Sequence, residues 1–240
     1  MKNKKLKATL SITGYFLLVI AICFVGALVF HSYYYESVYV HGPSMNPTLR
    51  GGMEKGDTAD FGIVDTHRAA INHIKRFDII STYYSEDYSF SGQLLSTANK
   101  KIKRVIGMPG DTFIIKDGLL SVKEGNEFVS VPYKFKVSAV TTEKDIVDPL
   151  TLSDDEYWVL GDNRTNSRDS AYVGKIKKKY IVGVLVAIEG QAELAEKAYC
   201  CDKCGKLFKT KIGTCDNCGE TTFTTQYKLV NKKYSWPKFF

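Results

Sequence analysis

Gly42-Pro43-Ser44-Met45-Asn46-Pro47-Thr48-Leu49 sets one small hydroxyl between two prolines. Each proline fixes φ at about −65° and lacks an amide donor, so the octapeptide suits neither a helix interior nor a central strand. It reads as a stiffened loop that presents Ser44. Gly42 lets backbone come close, and the amides of Ser44 and Met45 are left to face a ligand. Alone, a serine between prolines is an ordinary turn. Its meaning comes from what stands on either side: an uncharged apolar run before it and short strand-like pieces after it.

From Ala8 to Phe30 no side chain carries a charge. At about 1.5 Å per residue this helix reaches about 34 Å, enough to cross a hydrocarbon core of about 30 Å. Lys2, Lys4, Lys5 and Lys7 precede it, and Tyr33, Tyr34 and Tyr35 follow where an aromatic belt would lie. That flanking places the N-terminus in the cytoplasm and everything after His31 outside, in a single-pass cell-membrane protein. A cleaved signal peptide would have a shorter apolar region and a small-x-small site beyond Phe30. The later run Tyr180–Ile188 is β-branched, interrupted by Gly183 and too short to span. The formal charge of +7 is spread along the 240 residues, so no nucleic-acid partner is expected, and an anionic bilayer suits the balance better.

Downstream of the loop the pattern is short strands and turns. Val38-Tyr39-Val40 and Phe77 to Tyr84 have strand composition, and Lys100 to Ile106 ends in the turn Gly107-Met108-Pro109-Gly110-Asp111. Thr112–Ile115 and Leu119–Val122 flank Lys116-Asp117-Gly118, a hairpin signal. Tyr157–Leu160 is a further strand, followed by a polar loop from Gly161 to Ser170. Asp65 to Lys75 forms one short helix, and residues 123–156 give no clear assignment. The fold class is mainly β: an antiparallel β-sheet domain behind one N-terminal transmembrane helix.

A serine hydroxyl needs a base to take its proton. His67 and His73, with Arg68, read as a solvated face without a carboxylate at suggestive spacing. A lysine can serve only when neutral, and a drop of about 3 pKa units costs roughly 4 kcal/mol, within reach of burial. Lys101, Lys103 and Val105 alternate onto one face of a strand with apolar neighbours. Periodicity leaves Lys101 and Lys103 as equal candidates.

Three ordered stretches, 42–49, Lys103-Arg104-Val105-Ile106-Gly107-Met108-Pro109-Gly110-Asp111 and Gly161-Asp162-Asn163-Arg164-Thr165-Asn166-Ser167-Arg168-Asp169-Ser170, together with the anchor, resemble type I signal peptidases. These are membrane-bound Ser/Lys endopeptidases that remove signal peptides from exported preproteins through an acyl-enzyme. The resemblance implies Ser44 as nucleophile, with its amide helping to bind the oxyanion, and Lys103 as general base. Ser167 matches the serine that hydrogen-bonds and orients that lysine. Asp162, Arg104 and Asp169 match the polar scaffold, and Met45 lies where the family approaches lipid. Preprotein signal peptides and the bilayer are the implied partners, with the secretion translocon as a further candidate, and catalysis needs no cofactor. The chain also departs from the pattern. Ala171 stands where many members have arginine, so Asp169 must find Arg104, Arg164, Arg168 or water; Gly42 offers no side chain to the oxyanion hole; Phe77 replaces a glycine.

Cys201-Asp202-Lys203-Cys204-Gly205 and Cys215-Asp216-Asn217-Cys218-Gly219 are two knuckles ten residues apart. Cys201, Cys204, Cys215 and Cys218 can surround one structural zinc ion in a small C-terminal zinc-ribbon-like module. Disulfides are the alternative, since the tail lies outside. The expected organisation is residues 1–31 basic tip and anchor, 32–190 peptidase domain, 191–199 a short helical linker, 200–230 zinc-ribbon-like module and 231–240 aromatic and basic tail. Two other readings remain open: a signal-peptidase-like assembly scaffold without catalysis, and an anchored zinc-ribbon binding module.

Overall fold

The computed structural model describes residues 2–95, 98–138, 142–201, 207–208, 212–219, 221 and 223–240. A first unit, Met1–Glu36, separates from a second, Ser37–Phe240. The first is essentially helix α1, Lys2–Tyr34. Its stretch Gly14–Tyr34 has a mean hydropathy of 2.3 and is long and apolar enough to cross a membrane, with none of it buried against protein.

The second unit is built on two antiparallel sheets. Among the described residues the larger one has nine strands: β1 (Tyr35–Tyr39), β2 (Thr58–Asp65), β3 (Ile79–Thr82), β4 (Lys101–Gly107), β9 (Glu156–Leu160), β10 (Ile176–Lys177), β11 (Ile181–Cys201), β12 (Leu207–Phe208) and β13 (Phe223–Phe239). Their order is β1-β2-β11-β3-β4-β9-β10, with β12 and β13 added along β11. The smaller sheet has the order β7-β6-β5-β8, from β5 (Thr112–Lys116), β6 (Leu119–Glu124), β7 (Glu127–Val131) and β8 (Ile146–Thr151). The Asp117-Gly118 hairpin expected from the sequence joins β5 to β6 in register.

The region without a sequence assignment thus supplies β7 and β8. Their exposure explains why: β7 reads exposed at four of its five residues, and β8 sits at a sheet edge with Pro149 inside it. Neither has the apolar alternation that marks a half-buried strand.

Alternation along β4 and β9 sorts their side chains between two cores. Val105, Tyr157 and Val159 face a cluster with Ile80, Tyr84 and Ile181. Ile106, Trp158 and Leu160 face the other way, into a cluster with Phe113, Ile115 and Leu120. A third cluster joins Val40, Met45 and Leu49 to Val64, Ile79, Leu185 and Ile188. It anchors both ends of the serine loop.

Among the described residues, two short α-helices and three one-turn helices join the strands of this unit. In α2 (Arg68–Asn72), the ring of His67 caps the N-terminus by accepting the Ala69 amide. That role gives His67 a structural use at the helix start. In α3 (Ser170–Val173), the side chain of Asp169 is the N-cap.

One expectation for the C-terminal region is corrected. Residues 191–199 are not a helical linker: they continue β11, which pairs with β2 as far as Glu193 and with β13 as far as Cys201. Gln191 to Tyr199 is rich in alanine and glutamate, which favour a helix, and hydrogen bonding to two neighbouring strands overrides that propensity. The final aromatic and basic residues are likewise part of a paired strand, with Phe239 opposite Ala187.

Candidate active site

Ser44 and Lys103 meet. The Lys103 ammonium nitrogen lies 2.9 Å from Ser44 Oγ and donates also to the Ile102 carbonyl at 2.9 Å. Lys103 is 4% exposed, while Lys101, on the same face, turns to Asp87 and holds its carboxylate at 2.6 Å. Tertiary packing makes the choice that strand periodicity left open. Burial is the main influence on Lys103 and lowers its pKa to about 8. Asp169 pulls the value up, Lys144 and Lys101 push it down, and Asp162 raises it slightly.

The three sequence stretches are clamped to one another by the loop after β9. Arg104 Nε and Nη2 grip Asp162 at 2.8 and 2.6 Å, both residues buried. Arg104 Nη1 also donates to the Phe77 carbonyl at 2.8 Å, and its guanidinium stacks over the Phe135 ring at 3.9 Å. The amide of Asn163 donates to the Ser44 carbonyl at 3.0 Å, and its side chain to the Pro43 carbonyl at 3.2 Å. These bonds fix the backbone on which Ser44 sits. Gly161 is required for the closure: a Cβ there would stand 2.2 Å from Ser167 Oγ and 2.4 Å from the Ser44 carbonyl oxygen.

Within the serine loop, the Asn46 amide donates to Pro43 and the Leu49 amide to Met45. The Ser44 amide has no such acceptor among the described residues. Gly42 sits at φ +76°, in the left-handed region that disfavours a side chain. Its bare position is therefore conformational, and the donor available for an oxyanion is backbone. Phe77, standing where a glycine was expected, also has positive φ, +77°. Its ring makes edge contacts with Tyr133 and Phe135, and its amide donates to Val105. Aromatic packing holds a backbone conformation that a non-glycine residue rarely adopts.

Three expected roles come out differently. Met45 is fully buried in the third core cluster and does not approach a surface; the tight turn after Ser44 swings the thioether inward. Ser167 is near the dyad, yet its hydroxyl has no hydrogen-bond partner among the described residues and does not bond Lys103. Asp169 finds none of the arginines. Its partner is Lys144, whose Nζ lies 2.7 Å from Asp169 Oδ2 and 2.8 Å from the Ser167 carbonyl. Sequence reading missed Lys144 because it comes from the stretch without an assignment, and a single lysine after Glu143 carries no motif. Asn163 was within a recognised stretch, but its two contacts depend on the tertiary meeting of two loops.

At the other end of β11, Cys201, Cys215 and Cys218 bring their sulfurs within 4.8 Å of one another. Cys201 and Cys218 sulfurs are 3.5 Å apart, and no disulfide joins these three residues. Thiolates at about 2.3 Å from a tetrahedral zinc stand about 3.8 Å apart, so the spacing fits that ion. Cys204 lies outside the described residues.

The model of the family "Signal peptidase, peptidase S26" matches residues 12–188. Signal peptidase I V of Bacillus subtilis (strain 168) is 32% identical over 155 residues, covering 61% of this chain and 80% of that protein. Signal peptidase I of Bacillus caldolyticus is 33% identical over 174 residues, covering 68% of this chain and 83% of its own length. A solved signal peptidase I from Enterococcus faecalis V583 shares 32% identity, covering 47% of this chain and 96% of that one, with a TM-score of 0.35.

Proposed function

The chain belongs to the signal peptidase, peptidase S26 family, and as a serine endopeptidase of the type I kind removes signal peptides from preproteins; we propose that it does so with Ser44 as nucleophile and Lys103 as general base. The observation that carries this reading is the 2.9 Å contact between Ser44 Oγ and a buried lysine nitrogen.

Neutral Lys103 takes the proton of Ser44 as the oxygen attacks the scissile carbonyl. The Ser44 amide, with no competing backbone acceptor among the described residues, stabilises the oxyanion. The Lys103 ammonium then gives its proton to the departing amine, leaving an acyl-enzyme. Water, deprotonated by the same lysine, attacks the ester and frees the signal peptide. Arg104, Asp162 and Asn163 keep the two loops together through the cycle, and the buried Ser167 hydroxyl packs beside Gly161.

Strand β4 pairs with β3 along Lys101–Arg104 and with β9 only from Arg104 onward. Among the described residues no strand pairs with 101–103 on the β9 side, and there an extended substrate peptide adds as a strand beside Ser44 and Lys103. The apolar helix, with lysines before it and tyrosines after it, anchors the enzyme with its N-terminus in the cytoplasm and the catalytic domain outside. There it meets bilayer-embedded preproteins arriving from the translocon. The thiol cluster of Cys201, Cys215 and Cys218, completed by Cys204, holds a structural zinc ion that staples a segment too small to build its own core.

The direct test is processing of a preprotein with a small-x-small cleavage site by the intact chain, by Ser44→Ala and by Lys103→Ala. Both variants are expected to lose cleavage while keeping the wild-type circular dichroism spectrum. Cleavage retained by either one would refute the dyad.

A further inference from the structure

We propose that Lys144 is a positioning residue for peptide hydrolysis, its ammonium tying Asp169 and the Ser167 carbonyl together so that the loop 161–170 closes over the Ser44–Lys103 pair with its buried charges balanced. The inference rests on the dyad reading above.

Lys144 is 5% exposed, a rare situation for a lysine unless it has a role worth the desolvation. It arrives from the one-turn helix Thr142–Lys144 that leads into β8, so it enters the site from the smaller sheet, unlike the other charged groups. Its nitrogen makes two short contacts, 2.7 Å to Asp169 Oδ2 and 2.8 Å to the Ser167 carbonyl, and stands 5.5 Å from the centre of the Tyr172 ring. The same Asp169 oxygen accepts the Gly161 amide at 2.9 Å, and Oδ1 accepts the Ala171 amide. The ammonium itself holds the Ser167–Asp169 end that starts α3, and through the shared Asp169 oxygen it is linked to the Gly161 end, which lies against the Ser44 carbonyl.

The charged groups that face Lys103 are Lys101 on its own strand, Asp162 and Asp169 on the loop after β9, and Lys144 from the smaller sheet. Lys101 is held by Asp87 and Asp162 by Arg104. The Lys144–Asp169 pair is the remaining one, and its members act on Lys103 in opposite senses. Neutralising Lys144 leaves a lone buried carboxylate that holds the Lys103 proton more tightly. Neutralising Asp169 leaves a lone ammonium that releases it.

The experiment measures kcat/KM of the intact chain in detergent micelles on the small-x-small preprotein, from about pH 6 to about pH 10, and reads the midpoint of the acidic limb, which reports the free enzyme's base. Lys144→Met is expected to move that midpoint to higher pH and to lower kcat/KM at pH 7 by about ten- to a hundredfold. Asp169→Asn is expected to move it to lower pH. Lys144→Arg, which keeps the charge, should restore the wild-type midpoint. The double variant Lys144→Met/Asp169→Asn removes both charges and leaves neither buried alone, so it guards against a folding failure in the single variants; its midpoint should return toward wild type. A residue that merely supports the fold would move both single-variant midpoints the same way or not at all, and either result overturns the proposal, as does a double variant that keeps the Lys144→Met midpoint. Loss of the dyad itself reads differently, as cleavage insensitive to Ser44→Ala or Lys103→Ala.

Discussion

At the scale of the residue, the proposed mechanism turns on one lysine whose burial makes it easier to deprotonate. An exposed lysine is neutral less than about once in a thousand at pH 7, whereas a value of about 8 leaves Lys103 neutral in about one molecule in ten. Cleavage should therefore rise through neutral pH and level off above an inflection of about 8, which a pH profile with a soluble peptide substrate will show. The same burial costs stability. The folded state binds this proton more weakly than the unfolded chain, so stability is lowest below a pH of about 8 and recovers as the pH rises toward about 10.5. The size at pH 7 is on the order of 3 kcal/mol. Lys103→Met, which fills the site without a charge, should then abolish cleavage yet raise the melting temperature at pH 7, by about 2 to 4 °C for each kcal/mol recovered. The gain should shrink as pH approaches about 10.5. A melting temperature that falls at every pH would count against the stated electrostatic cost.

At the scale of the element, β11 governs the molecule. Its first residues pair with β3, its middle with β2, and its far half with β13, so one strand links the catalytic sheet to the thiol cluster at Cys201. Tyr227 on β13 ties that ribbon to the segments flanking the Ser44 loop: its amide donates to the Tyr39 hydroxyl, its hydroxyl to the Met53 carbonyl, and its ring lies 6.0 Å from that of His41. Replacing Cys215 with serine should remove bound zinc from the purified chain, measured by elemental analysis, against one ion per chain in the wild type. Disulfide-linked peptides and no zinc in the wild-type digest would favour the oxidised alternative. Because Tyr227 is carried on the same ribbon, loss of the metal should raise amide exchange in β13 more than in β4, which lies between β3 and β9.

At the scale of the whole molecule, the C-terminal segment is built into the sheet and is not a detachable appendage. Chain removal after Cys201 would strip β13 from β11 and uncover the hydrogen-bonding edge from Ala187 to Cys201. An open edge of that length invites pairing with a second chain. The truncated protein is expected to self-associate in sedimentation and to melt at lower temperature, even in conditions where the intact chain stays monodisperse. Unchanged sedimentation and melting would mean that β13 adds nothing to the stability of the sheet. Exposed Trp236 and Phe239 on this strand are then carried on a rigid, paired backbone.

The sequence by itself supplied local patterns: a serine between two prolines, the pair of candidate lysines, the apolar helix, the Asp-Gly hairpin and the four-cysteine spacing, all set by residue type and short-range periodicity. Family likeness made Ser44 the candidate nucleophile and selected Lys103, and Arg104 with Asp162 followed from the same stretches. What only the tertiary structure decided depends on chain segments distant in sequence. Lys144 answers Asp169 across twenty-five residues, Met45 turns into the core, Asn163 grips the serine loop, and an alanine- and glutamate-rich segment becomes a strand. Each of these outcomes comes from burial and hydrogen bonding between elements, for which a one-dimensional pattern carries no signal.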